Sequence, residues 1–210
     1  MRTEDRVGMQ PELHLVLPAN WRTVPLSGQA SDRAVLAMMR SGLGTSASKS
    51  AQRQAVFQAY REMLRQAREA GAVFAATYAE MVDGGPLAAT VIAFFGLLPE
   101  GARSSPGVAA HLLAGLAAGP AAPVGLPPAS LARVGTAEAV RTIQRQPVPG
   151  WAGTGAAPEI ETVHYYTPLV PDDRMLVLAF STPSTWAAEA FRALFDQIAL
   201  SARLRGLSPG

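Results

Sequence analysis

The chain of 210 residues contains no cysteine. That single absence removes disulfide frameworks, zinc ribbons, iron–sulfur clusters and thiol catalysis together. Charge is also scarce. Charged residues make up 16% of the chain with a net charge of +2 at pH 7, whereas an ordinary soluble domain carries about 25%. Lys49 is the sole lysine, and the other cations are arginine. Such a chain lacks the basic stripe with interleaved aromatics that nucleic acid requires, so no nucleic-acid partner is expected.

Long apolar runs are missing too. The longest, Leu87 to Leu98, is interrupted by Thr90 and Gly96 and falls short of the ~20 residues of a bilayer-spanning helix. No transmembrane segment is expected. Residues 1–10 are polar and mixed in charge, without a signal peptide's apolar stretch or a cysteine for lipid attachment. They read as a flexible N-terminus, and the chain as cytoplasmic.

What is present is apolar bulk, 49% of all residues. The length favours one domain, at 11–206, burying roughly 70% of its unfolded surface. Glu12 to Pro18 alternates Leu13, Leu15 and Leu17 against His14 and Val16, the pattern of a strand. Trp21 follows in a turn, and Arg22 to Leu26 can extend. Ser31 and Asp32 open a short helix to about Arg40, and Ser41 to Ser50 is a Gly/Ser/Thr loop. From Ala51 to Ala70, residues Val56, Phe57, Tyr60, Met63, Leu64 and Ala67 keep helical spacing, with Gly71 as the stop. Ala72–Val82 and Leu87–Leu98 flank Asp83-Gly84-Gly85-Pro86, which supplies the positive φ of a tight hairpin.

The middle is looser. Ser105-Pro106 starts a helix running through Leu112 and Leu116 to Gly119, and residues 118–130 are rich in Ala, Pro and Gly. Within Ser130 to Gln146, Leu131, Val134, Ala137, Val140 and Ile143 recur every three residues, which fits a helix face as well as a strand. Strand is preferred for Val140–Gln146, and 147–158 is a loop. The last third is clear. Glu159–Leu169 alternates, Pro171-Asp172-Asp173 turns, and Arg174–Ser181 returns apolar on both faces, the mark of a central strand. Ser184 then caps a final helix carrying Phe191, Leu194, Phe195, Ile198 and Ala202, ending by Gly206. The fold class is α+β: an antiparallel sheet of about six strands with helices packed on it.

Candidate chemistry is thin. Gly42-Leu43-Gly44-Thr45-Ser46-Ala47 fits the dinucleotide pattern G-x-G-x-x-A. Gly44 to Ser50 is one residue from a phosphate-binding loop, Ser48 standing where glycine belongs. Both motifs need a strand before the loop, and a helix precedes it here, so a nucleotide or small-molecule enzyme using Gly42–Ser50 is the alternative reading. His14, His111 and His164 lie far apart, without the spacing of a helix-borne metal site. His164, Asp172 or Asp173, and Ser181 have the residue types of a hydrolytic triad, but no nucleophile elbow surrounds any serine. Glu159 and Glu161 share a strand face and read as a solvated strand start. Arg61, Arg65 and Arg68, relieved by Glu62 and Glu69, read as a solvated helix face. The middle helix near His111 lacks the cations of a membrane-surface helix. Trp21, Trp151 and Trp186 fall in turns or at a helix start, outside the apolar stripes, and are the candidate interface.

Three segments carry a resemblance: "LHLVLPANWRTVPL", "VHYYTPLVPDDRMLVLAFSTPS" and "AFRALFDQIALSARL". They look like a family of uncharacterised actinobacterial proteins. Their order, a strand into an LP-x-x-W turn and a late hairpin into an F-x-x-L/I-F-D-x-I helix, is similar to PsbP-like domains. That resemblance covers about a third of the chain and implies an α/β/α sandwich, a fold of binding modules. Some actinobacterial relatives are lipoproteins, from which this chain departs by having no cysteine. Relatives beside type VII secretion genes imply an accessory role. The expectation is therefore a non-enzymatic protein-binding or accessory module with no catalytic, cofactor or metal residues, acting on an unidentified protein partner.

Overall fold

The computed structural model describes residues 12–26, 33, 37, 62–82, 85–103, 107–117, 129–147, 159–169 and 173–205. The elements in order are β1 (Glu12–His14), β2 (Arg22–Thr23), helix α1 (62–69), β3 (Ala72–Val82), β4 (Gly85–Leu97), α2 (Glu100–Arg103) and α3 (Val108–Ala117). There follow β5 (Ala129–Val134), β6 (Ala137–Pro147), β7 (Glu159–Leu169), β8 (Arg174–Thr182), a 3-10 turn (Thr185–Ala187), α4 (Ala188–Leu200) and β9 (Arg203–Arg205). Seven strands form one sheet in the order β2-β3-β4-β8-β7-β6-β5, every neighbouring pair antiparallel, and β1 pairs with β9 as a separate ribbon. The class is α+β, with seven sheet strands where about six were expected.

The sequence signals work as local physics. Val82 pairs with Gly85, so Asp83-Gly84 is a two-residue connection between β3 and β4. Gly71 ends α1 at φ 77, the left-handed conformation a β-carbon resists. On the solvent side of α1, Arg65 bonds both Glu62 and Glu69, as a solvated helix face requires. β8, apolar on both faces, takes the middle of the sheet between β4 and β7. Asp173 holds φ 47 in the turn before it, a conformation aspartate tolerates.

Helices cover both faces. On the first, Phe191, Phe195 and Ile198 of α4 pack against Val163, Tyr165, Leu176, Leu178 and Phe180. Phe195 stacks on Phe180 with ring centroids 4.7 Å apart, and Tyr165 meets Phe180 edge-on at 5.6 Å. Burying such side chains contributes about 1.5–3 kcal/mol each. On the second face, Leu64 and Ala67 of α1 cover Ala75, Ala88 and Ile92, while Leu112 of α3 and Ala102 of α2 cover Leu98 and Val140.

Four expectations are corrected. The opening strand is only Glu12–His14, because its pairing partner β9 is three residues long. The final helix stops at Leu200, and residues 203–205 extend to form that partner. The stretch from Ser130 to Gln146 is two strands, turning at Gly135-Thr136 with Gly135 at φ 57. Ser184 precedes the 3-10 turn without a side-chain cap bond, because its hydroxyl accepts the Ala88 N–H at 3.1 Å. Residues 1–10, the loop Ser41–Ser50, residues 118–128, most of the 147–158 loop and most of the helices expected near 31–40 and 51–61 lie outside the described residues.

Candidate functional site

The sheet carries two polar systems, one per face. On the first, strand pairing sets Arg145 opposite Glu161 and Arg141 opposite Tyr165. Above them α4 presents Arg192 and Asp196, one helical turn apart. Glu161 has no exposed surface. Its Oε2 accepts Arg145 Nη2 at 2.8 Å, and Arg192 Nη1 donates to both oxygens at 2.9 and 3.1 Å. Beside it, Asp196 accepts Arg141 Nη1 at 2.9 and 3.0 Å and the Tyr165 hydroxyl. Burial first, and Asp196 second, push the Tyr165 phenol well above its ordinary range.

This arrangement fastens helix to sheet. Both Glu161 oxygens are committed to guanidinium groups. The pair Glu159 and Glu161 is thus split: Glu159 is exposed at the strand start, and Glu161 is buried rather than solvated because Arg192 reaches it from α4.

The second face is different. Three cross-strand rows form its centre: Thr90, Ser181, Thr162 and Gln144; then Ile92, Ala179, His164 and Thr142; then Phe94, Val177, Tyr166 and Val140. On the first face the inner strands β7 and β8 are closed, with Val163, Tyr165, Leu176, Leu178 and Phe180 at 0% exposure. Their second-face residues His164, Tyr166, Val177, Ala179 and Ser181 are half-buried. β8 is therefore covered fully on one side only, where full cover on both was expected. On this face Thr90, Thr142 and Thr162 are buried, while His164, Tyr166 and Ser181 are half-buried.

His164 stacks on Tyr166 at 5.8 Å, and its Nδ1 is shut from water without a protein partner. Burial lowers the imidazole's pKa below its ordinary 6.5. As pH falls through 6.5 the unfolded chain therefore takes up a proton that the folded one resists, so stability present above about pH 6.5 is lost below it. The slope reaches at most ~1.4 kcal/mol per pH unit. His164→Gln is expected to flatten the pH 5–6.5 limb of a urea-denaturation series relative to wild type. Parallel limbs in the two proteins would disprove the assignment.

The structure separates the remaining candidates. Trp21 is a core residue at 7% exposure, stacked 6.1 Å from Tyr78, and not an exposed interface residue, because the turn after Pro18 folds it onto β3. Trp186 is 59% exposed in the 3-10 turn, and Trp151 lies outside the described residues, as does the Gly42–Ser50 loop. His14 sits in β1, His111 on α3 and His164 in β7. Among the described residues no three metal-capable side chains converge. Asp173 and Ser181 stand at opposite ends of β8, about 26 Å apart at strand rise, so no triad assembles from them. Sequence reasoning missed the Arg145–Glu161–Arg192 cluster, since it requires the strand register. No protein-family model, no curated protein and no solved structure matches this chain.

Proposed function

We propose that this chain is a non-enzymatic protein-binding module, an accessory protein of PsbP-like type, whose partner lays an extended segment along β5. The supporting observation is the sheet edge. Edge strands expose unpaired backbone donors and acceptors, and proteins blunt them with short length, bulges, proline or lysine. At one edge, β2 is two residues long and so is blunted. At the other, β5 runs six residues in unbroken register with β6, without proline and with Arg133 as its one charge. Its Leu131 is 61% exposed above a shallow depression of about 220 Å³ lined by Leu131, Ala132, Arg133 and Glu138.

An edge of this kind suits strand addition, in which backbone pairing gives affinity and a side-chain pocket gives selectivity. The accessory role beside type VII secretion genes belongs to the same proposal. Among the described residues no helix is long and apolar enough to cross a membrane, which is compatible with a partner met on either side of one. A photo-crosslinking residue at Arg133, introduced in the native host, is expected to give one discrete protein adduct that Leu131→Asp abolishes. The same probe at exposed Val73 on β3 is the control. No adduct at Arg133, or one that Leu131→Asp leaves unchanged, would sink the proposal.

A further inference from the structure

We infer that the segment laid along β5 is the β5 strand of a second copy of this chain, joining two seven-stranded sheets into one about a two-fold axis at Leu131. The inference rests on the strand-addition reading above and names its partner.

Backbone direction comes first. Val134 and Ala137 flank the two-residue turn Gly135-Thr136 and so form a hydrogen-bonded pair. Such pairs alternate along an antiparallel ladder. Ala132 and Ser130 therefore also bond β6, while the N–H and C=O groups of Ala129, Leu131 and Arg133 point away from it to the open edge. Among the described residues these outward groups have no hydrogen-bond partner. Side chains alternate with the same period of two, so the three outward residues share one face. Leu131 and Arg133 are exposed there, and Ala129 is half-buried.

Self-complementarity comes second. A two-fold axis requires one patch to match itself. With Leu131 set opposite its own image, Ala129 falls opposite Arg133 and Arg133 opposite Ala129, so every outward residue meets an outward residue. Leu131, at 61% exposure, then gains an apolar cross-strand neighbour. Each Arg133 lies opposite a small alanine and keeps Glu138 as its neighbour on β6. The two Arg133 residues stand about 13 Å apart along the strand direction, so like charges do not oppose each other. Shifting the register by two residues either way loses one of the outward pairs and parts the leucines. Closure comes third. The opposite edge, β2, is two residues long, so among the described residues each copy offers one long edge, and pairing stops at two copies instead of running on into a fibre.

A six-residue strand pair falls well below the ~1,600 Å² of a standard interface, so the dimer is weak and concentration-dependent. Sedimentation velocity of the purified full-length protein from about 10 µM to about 1 mM tests it. The sedimentation coefficient is expected to rise with concentration from monomer toward dimer. Leu131→Asp and Leu131→Lys each put like charges face to face and should remain monomeric, while an equimolar mixture of the two should regain the dimer. The chain has no cysteine, which allows a second measurement that reports the register. With α-carbons about 5.5 Å apart, Leu131→Cys should oxidise to a disulfide-linked dimer. Arg133→Cys, held about 13 Å from its image, should stay largely unlinked. A monomer at every concentration, no recovery in the mixture, or equal disulfide yield at the two positions would overturn the inference. The photo-crosslink at Arg133 separates this inference from the reading beneath it. An adduct of twice the chain mass supports the second copy. An adduct with a different protein overturns it and leaves the β5 edge standing, and no adduct overturns both.

Discussion

Replacing Arg145 and Arg192 together by methionine is expected to lower folding stability by about 3–5 kcal/mol, the usual result of stripping a buried charge of its partners. The asymmetry of the cluster drives the size of the effect. Glu161 has no path to water, while side-chain exposure is 33% for Arg145 and 21% for Arg192. An arginine that loses Glu161 can turn its head toward solvent, but a Glu161 that loses both arginines cannot. Either arginine replaced alone should therefore cost much less than half of the double effect, because the other still holds Oε2. Adding Glu161→Leu to the double variant should recover most of the loss, since an apolar side chain of similar volume suits the pocket without needing a counter-charge. Urea unfolding of wild type and the four variants checks this. A double variant within ~1 kcal/mol of wild type, or no recovery in the triple, would show that the cluster is not the fastening described.

Gly135→Ala is expected to cost about 2–5 kcal/mol, combining left-handed backbone strain with overpacking. The glycine holds φ 57 in the β5–β6 turn, and a β-carbon there would stand 2.3 Å from the carbonyl oxygen of Ala202. That oxygen belongs to the backbone and cannot swing aside. The Gly135 N–H also donates to the Ala199 carbonyl at 2.9 Å, closing the C-terminal end of α4 with the tip of a hairpin. Gly135→Asn separates the two causes, because asparagine tolerates the left-handed region but still brings a β-carbon. Both variants should be destabilised to a similar degree in thermal and chemical unfolding. Near-native stability of the asparagine variant would mean that the backbone angle alone matters and that the turn yields around the added carbon.

Much of the fold was legible where the signal is local. Asp83-Gly84 specified its hairpin, the doubly apolar Met175–Phe180 run specified a central strand, and the Phe191, Phe195, Ile198 stripe specified the helix that covers it. The failures have physical reasons. The spacing of three in Leu131, Val134, Ala137, Val140 and Ile143 fitted a helix face as well as a strand; the strand preferred for Val140–Gln146 is there, but the run crosses a turn and Leu131 is exposed on the edge. Gly135-Thr136 is a weaker turn signal than Asp-Gly, so the hairpin went unseen. Arg203–Arg205 is too short to announce a strand, and it is extended only because Glu12–His14 lies beside it. Trp21 sat outside any apolar stripe, yet the turn after Pro18 delivers it to Tyr78. The sites were less legible still. Arg145, Glu161 and Arg192 come from three elements whose register no single segment reveals.

The pairing of β1 with β9 has a consequence for the order in which the chain folds. The β3–β4, β5–β6 and β7–β8 hairpins each join neighbours in sequence, so their closure entropy is small. The Val16 N–H bonds Ser201 Oγ across 185 positions, and Glu12 pairs with Arg205 further apart still. Such contacts form late and raise contact order. Yet Leu13 and Leu204 of this ribbon, with Leu15 next to it, pack onto the same cluster as Phe191 and Phe195. The core under α4 is therefore assembled by hairpins and completed by a clasp between distant stretches of chain, which makes that face of the sheet the last to become dry.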